Sequence, residues 1–175
     1  MVHFYIGDGK GKTTAAFGLA LRAAGFKKNV YISQFLKGKD AVSGEVEFIR
    51  GVKSSISVER FSGQVHPMFL KKGKKFDLKK MKASTFQALL KIEKYIDEGK
   101  FDVIVLDEIL NSVRGKVCSK AILKRLIKKS KGIEFILTGR TASDDLIKLA
   151  DYVSCINKVK HPFDKGILAR QGIEY

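Results

Sequence analysis

Apolar positions along this chain fall into two patterns that alternate. Short, nearly continuous apolar runs appear at 2–6 (VHFYI, ended by glycine), 30–35 (VYISQF) and 56–61 (ISVERF). Runs of this length, bounded by turn residues, are what a strand buried on both faces requires. Stretches with helical spacing lie between them. Residues 13–24 are rich in alanine and leucine and stop at Gly25, a residue type that ends helices. Asp77 is placed to cap a long helix whose apolar positions Leu78, Met81, Thr85, Leu89, Ile92 and Ile96 recur at threes and fours, with Gly99 behind it. FDVIVL at 101–106 is the most uniformly apolar run, the expected centre of a parallel sheet. A helix over 119–129, a strand over 133–137, a short helix over 144–149 and a strand over 152–156 complete the series.

Six strands with intervening helices predict an α/β fold: a roughly six-stranded, mostly parallel sheet covered by helices on both faces. The 175 residues, 45% of them hydrophobic, suit a single domain spanning the whole chain. No repeat or low-complexity linker interrupts it. The longest stretch without periodicity is 62–76, where a functional or mobile loop is expected. Nothing resembles a signal peptide, and no apolar run approaches the ~20 residues of a membrane helix, so a cytoplasmic protein without a membrane partner is expected. Cys118 and Cys155 lack C-x-x-C spacing, which indicates neither a zinc site nor a disulfide framework.

Charge changes this picture less than its size suggests. The net charge is +16, and KKGKKFDLKKMK at 71–82 is the densest cationic run. Such a run can follow a nucleic-acid backbone, but no aromatic residues are interleaved to stack bases. Lysine-heavy composition is also a feature of thermophile proteins, so charge alone decides little.

The chemistry is concentrated at strand ends. GDGKGKTT at 7–14 follows the first strand and opens the first helix, the context of a phosphate-binding P-loop. The usual spacing, G-x-x-x-x-G-K-[ST], would place its first glycine at Ile6; Gly7 is the nearest, so the loop is one residue short. Gly7, Gly9 and Gly11 let backbone amides turn inward around a polyanion, with Asp8 and Lys10 between them. Lys12 can set an ammonium on the phosphates and Thr13 a hydroxyl on a magnesium ion; Thr14 is a second hydroxyl in the same turn. VIVLDEI ends a strand in Asp107 and Glu108, acids that hold magnesium at this position of P-loop proteins. LTGR places Arg140 at another strand end, facing the same crevice. The tail, VKHPFDKGILARQGIEY, has little helical or strand pattern but carries apolar residues, so an ordered cover docked on the domain is expected.

With these pieces in order, the chain resembles the P-loop corrinoid adenosyltransferases, of RecA-like fold, which convert cob(I)alamin and ATP to adenosylcobalamin. The resemblance rests on GDGKGKTTAAFGLALRAAG, VYISQFLKG, VIVLDEI, LTGR and ADYVSCINKVKHPFDKGILARQGIEY, spread over the whole chain. The short loop is itself the family's form. The resemblance implies ATP as co-substrate, Mg2+, and a corrinoid substrate, cobalamin or cobinamide. It implies Lys12, Thr13, Glu108 and Arg140 as catalytic groups and Thr13, Asp107 and Glu108 around the metal. Arg22 would contact the nucleotide, and Gln34, His161, Phe163 and Asp164 would lie near the site. Bulky aromatic residues would hold the corrin without its lower axial ligand. Phe61 is the best match; where better-studied members have tryptophan this chain has Gly63, and Phe69 or another loop residue would substitute. An electron donor such as flavodoxin or reduced flavin, and a homodimer, are implied in the same way. The sequence opens directly on the first strand, without the N-terminal extension of some members. The competing readings are a RecA-like ATPase acting on nucleic acid and a nucleotide-binding regulator without turnover; the short loop and the tail speak for the transferase, so no nucleic-acid partner is expected.

Overall fold

The computed structural model describes residues 1–38, 41–61 and 77–174. Six strands form one sheet: β1 (Val2–Ile6), β2 (Val30–Gln34), β3 (Ile56–Glu59), β4 (Val103–Asp107), β5 (Glu134–Thr138) and β6 (Tyr152–Cys155). Their order is β3-β2-β4-β5-β1-β6, and every pairing is parallel, where a mostly parallel sheet was expected. The helices are α1 (Lys12–Gly25), α2 (Gly44–Gly51), α3 (Leu78–Asp97), α4 (Ile109–Arg114), α5 (Lys120–Lys129) and α6 (Asp144–Ile147).

Strand alternation builds two cores, one on each face. Along β4, Ile104 and Leu106 pack with α3, α4 and α5, whereas Val103 and Val105 pack with α1 and α2. On β5, Phe135 and Leu137 take the first side and Ile136 the second. Such two-sided burial is why these strands read as continuous apolar runs. Burying each large apolar side chain contributes about 1.5–3 kcal/mol, so the central strands hold the frame rigid beneath their carboxyl ends.

Several boundaries differ from expectation for local reasons. The fourth strand starts at Val103 because the Asp102 carboxylate turns away to accept from the Asn29 amide at 2.8 Å. The third ends at Glu59, and Arg60 leaves the sheet to bind Gln34. Helices α2 and α4 were not expected at all. The tail departs most. It contains a 3-10 turn, Pro162–Lys165, but Phe163, Leu168 and Ile173 are 68%, 76% and 58% exposed. Its apolar side chains do not dock on this domain; charged contacts attach it instead. No helix among the described residues is long and apolar enough to cross a membrane.

Candidate active site

Chain geometry leaves no room for a side chain at Gly7 or Gly9. Gly7 and Gly11 lie in the left-handed region at φ +112° and +117°. A Cβ on Gly7 would stand 2.3 Å from the Ile156 carbonyl oxygen, and one on Gly9 2.7 Å from the same atom. Gly7 N donates to the Arg140 carbonyl and Gly9 N to that of Ile156, both at 2.8 Å. The loop is therefore pinned between the exits of β5 and β6, which only glycine permits.

Lys12 opens α1 and folds back so that its ammonium donates to the Gly9 carbonyl at 2.5 Å. Burial lowers its pKa, while the Glu108 carboxylate acts in the opposite sense and the charge of Arg140 depresses it further. The first turn of α1 contains no acid of its own, so none of its side chains opposes an anion at its amide-rich end.

Below the loop, the carboxyl ends of three strands meet at one buried carboxylate. Asp107 Oδ1 accepts from the Thr13 hydroxyl at 2.9 Å and from the Thr138 hydroxyl at 2.8 Å; Oδ2 accepts from Gln34 Nε2 at 3.0 Å. Asp107 is 0% exposed, and its nearest cation, Lys37, is 3.8 Å away. Arg60 extends the network toward β3 by donating to Gln34 Oε1 at 2.8 Å. This buried negative charge is held mainly by neutral donors, an arrangement that favours a cation close by.

Glu108 follows at φ +66°, a left-handed conformation for a residue with a side chain. Its amide donates to Thr138 Oγ1 at 2.9 Å, and its carboxylate accepts from Asn111 Nδ2. Burial, and then the neighbouring Asp107, push its pKa up. Asn111 also accepts from the Arg140 amide at 2.8 Å, which ties the end of β5 to α4. Gly139 permits this approach, since a Cβ there would meet Leu110 Cβ at 2.6 Å. Arg140 itself is exposed and shares a 430 Å³ cavity with Gly7, Asp8, Arg114 and Asn157.

The fold thus brings Lys12, Thr13, Gln34, Asp107, Glu108 and Arg140 to one rim. Thr14 is exposed on the first turn of α1. Other candidates stand elsewhere or serve differently. Arg22 is exposed in the last turn of α1, about 15 Å along the axis from the loop, so the helix does not bring it to the phosphate end. Phe61 packs beside the core under α3, with the Lys91 ammonium 5.8 Å from its ring centroid. Phe163 points to solvent, His161 Nδ1 accepts from the Phe163 amide at 3.1 Å, and Asp164 pairs with Lys158 at 2.9 Å. Asp8 is a tether: its carboxylate accepts from the Lys158 amide at 3.0 Å. Lys10 pairs with Glu174 at 3.0 Å, and Glu174, also held by Arg170, has its pKa drawn down to about 2. Phe69 and residues 71–76 of the lysine run lie outside the described residues. Sequence reasoning did not find Thr138, Asn111, Lys37, Arg60 or Glu174. Thr138 stands within LTGR and Asn111 just after VIVLDEI, but the bonds that give them their roles span 29 to 31 positions of chain.

A family model described as ATP:corrinoid adenosyltransferase BtuR/CobO/CobP matches residues 1–175. The chain belongs to this family. Among curated relatives, the corrinoid adenosyltransferase of a Sinorhizobium species is 34% identical over 97% of this chain and 77% of its own. Those of Salmonella typhimurium (strain LT2) and Escherichia coli (strain K12) are 30% and 31% identical, each over 98% of this chain and 83% of their own. Among solved structures, the KaiC-like protein PH0186 of Pyrococcus horikoshii OT3 superposes with a TM-score of 0.51 at 15% identity, covering 91% of this chain and 74% of that one. That likeness bears on fold alone and agrees with the RecA-like α/β architecture. The family assignment favours corrinoid adenosylation over the nucleic-acid ATPase reading.

Proposed function

We propose that this protein transfers the 5′-deoxyadenosyl group of ATP to the cobalt of a reduced corrinoid, cobalamin or cobinamide, with release of triphosphate. The cobalt(I) electron pair forms the bond to the 5′ carbon, and the carbon–oxygen bond breaks with its electrons leaving on the triphosphate. Cobalt(I) carries no proton to remove, so the protein needs no general base. Its tasks are alignment and stabilisation of the departing charge.

The observation that best supports this reading is Lys12 resting on a neutral carbonyl beside the amide-rich start of α1. A phosphate oxygen is a stronger partner for this ammonium than Gly9 O, so binding exchanges a weak contact for a charge-assisted one. Arg140 would meet the same phosphates, and Lys10 would do so on leaving Glu174, whereas the Gly7 and Gly9 amides, expected to face the polyanion, are taken by the Arg140 and Ile156 carbonyls and serve to hold the loop's shape. Thr13 paired with Asp107, with Glu108 adjacent, fits a magnesium ion: one hydroxyl and two acids, with the Lys37 ammonium at 3.8 Å the one ion-pair partner of Asp107 among the described residues. Bound there, Mg2+ would supply charge neutralisation at the triphosphate. A loop one residue shorter than usual suits a reaction at the ribose carbon, because the triphosphate can then sit differently from its place in γ-phosphate chemistry. Gln34 would orient Asp107. Phe61 and the tail residues His161, Phe163 and Asp164 would approach the corrin once substrate is bound, and Arg22 would reach the nucleotide only through rearrangement. A cytoplasmic homodimer served by flavodoxin or reduced flavin completes the proposal, with no nucleic-acid or membrane partner.

The test is anaerobic incubation with magnesium-ATP and chemically reduced cobalamin, following the corrin spectrum and the phosphate products. Adenosylcobalamin with stoichiometric triphosphate is expected. Steady orthophosphate with unchanged corrin would overturn the proposal in favour of an ATPase. Lys12→Ala should lower the rate by about 10²–10³ by removing one charge-stabilising group; a rate near wild type would remove Lys12 from this role.

A further inference from the structure

A second cavity, larger than the one beside Gly7 and Arg140, lies away from the glycine loop. It measures 790 Å³ and lies between α3, α4, α5 and the loop after β5. That volume is within the roughly 300–1,000 Å³ of small-molecule sites. Its floor is apolar, formed by Leu89, Leu110, Val113 and Leu146, with Phe86 and Val117 at the side.

Three features define an occupant. First, Lys82, Arg114, Lys116 and Lys120 line it, and no aspartate or glutamate does. Lys120 is engaged by Asp145 at 3.0 Å, whereas the side chains of Lys82, Arg114 and Lys116 have no ion pair among the described residues. Second, Thr85 is 1% exposed, lines the cavity, and its hydroxyl has no hydrogen-bond partner among the described residues. A buried hydroxyl left unpaired is costly, and although this oxygen is closed off in the structure, a small shift of the lining would let a ligand acceptor remove that cost. Third, Arg114, Thr141 and Ala142 line both this cavity and the smaller one beside Gly7 and Arg140, so the two are contiguous. Cys118, also in the lining, is kept neutral by burial, which pushes its thiol up to about 12, so it adds no negative charge.

The site therefore suits an apolar, aromatic body bearing one anionic group, tethered to something at the nucleotide end. On the adenosyltransferase reading, on which this inference rests, the corrinoid substrate contains such a part. Square-planar cobalt(I) holds no axial base, so the nucleotide arm of a complete corrinoid is detached from the metal. That arm is a benzimidazole on a ribose with a phosphodiester. We infer that this cavity receives the detached nucleotide arm, its base on the apolar floor and its phosphodiester among Lys82, Arg114 and Lys116. The cavity then discriminates complete corrinoids from cobinamide, which has no such arm.

The experiment compares wild type with Lys82→Glu/Lys116→Glu, two exposed positions outside the catalytic rim. KM for cobalamin should rise about ten-fold or more, as loss of a charge-assisted phosphate contact predicts, with KM for cobinamide and ATP unchanged. Equal change for both corrinoids, or none for either, overturns the inference. A second measurement needs no turnover: titration of wild type with 5,6-dimethylbenzimidazole riboside 3′-phosphate, read on the methyl resonances of Thr85, Val117 and Leu146. Saturable shifts confined to these residues support the site; their absence overturns it. If wild type fails to adenosylate any corrinoid, the proposed activity falls, and this titration still decides what the cavity binds.

Discussion

Glu108 joins stability and activity in one side chain. Burial and Asp107 raise its pKa, so the folded state holds its proton more tightly than the unfolded chain does. Its contribution to stability is therefore full below the ordinary glutamate range and is lost as pH rises through the raised value. At neutral pH the ionised group is a cost that the fold tolerates, as is its left-handed backbone. Glu108→Gln should raise the melting temperature of the metal-free protein at pH 7 and leave it nearly unchanged near pH 4, while lowering adenosyl transfer. Thermal denaturation at the two pH values checks the sign; a variant less stable at pH 7 would contradict it. Gly9 presents the opposite case, a residue whose absent side chain matters. Gly9→Ala would drive a methyl to 2.7 Å from the Ile156 carbonyl oxygen and 2.8 Å from the Asn157 backbone. Neither is a flexible side-chain end, so the loop must shift. Overpacking of this kind costs about 1–3 kcal/mol, and ATP affinity should fall with it. Calorimetric titration with ATP reads the affinity and chemical denaturation reads the cost.

At the scale of elements, α3 carries the clearest local signal. Asp77 Oδ1 accepts from the Lys80 amide at 2.9 Å, and Met81, Thr85, Leu89, Ile92 and Ile96 are buried along one stripe. Asp77→Ala should cost about 1 kcal/mol, seen as a lower denaturation midpoint with an unchanged slope. Elements of this type were legible because their apolar period is long. Those missed were short or continuous with a neighbour. Helix α4 has six residues and begins one residue beyond β4, so Ile109 and Leu110 read as an extension of the strand's apolar run. Helix α2 is bounded by glycines at both ends, and only Val46 of its eight residues is buried. The site divides in the same way. Lys12, Thr13, Asp107, Glu108 and Arg140 stand in contiguous motifs, whereas the groups that position them reach across strands. The acceptance by Asp107 from Thr138 and Gln34 follows from β5 and β2 both flanking β4, a strand order that no local pattern encodes.

The whole molecule leaves its least satisfied surface on one side. β6 is an edge strand with every residue exposed, and an edge presents unpaired backbone donors and acceptors. Within it, Tyr152 and Val153 are 52% and 43% exposed, and Phe163 and Leu168 of the tail more so. Attachment of the tail through Asp8–Lys158 and Lys10–Glu174 sets these apolar groups outward while anchoring them to the glycine loop. Burial against a second copy would cover both the strand edge and the tail, and would bring the partner close to the nucleotide site. The net charge of +16 opposes self-association, so salt should favour it by screening. Light scattering at moderate salt is expected to give twice the 19.5 kDa chain mass. Val153→Lys combined with Leu168→Lys should shift that mass toward the single chain by placing unpaired charges in the contact. A wild-type protein that stays monomeric as concentration and salt rise would overturn the homodimer, and an unchanged dimer in the variant would move the interface away from β6.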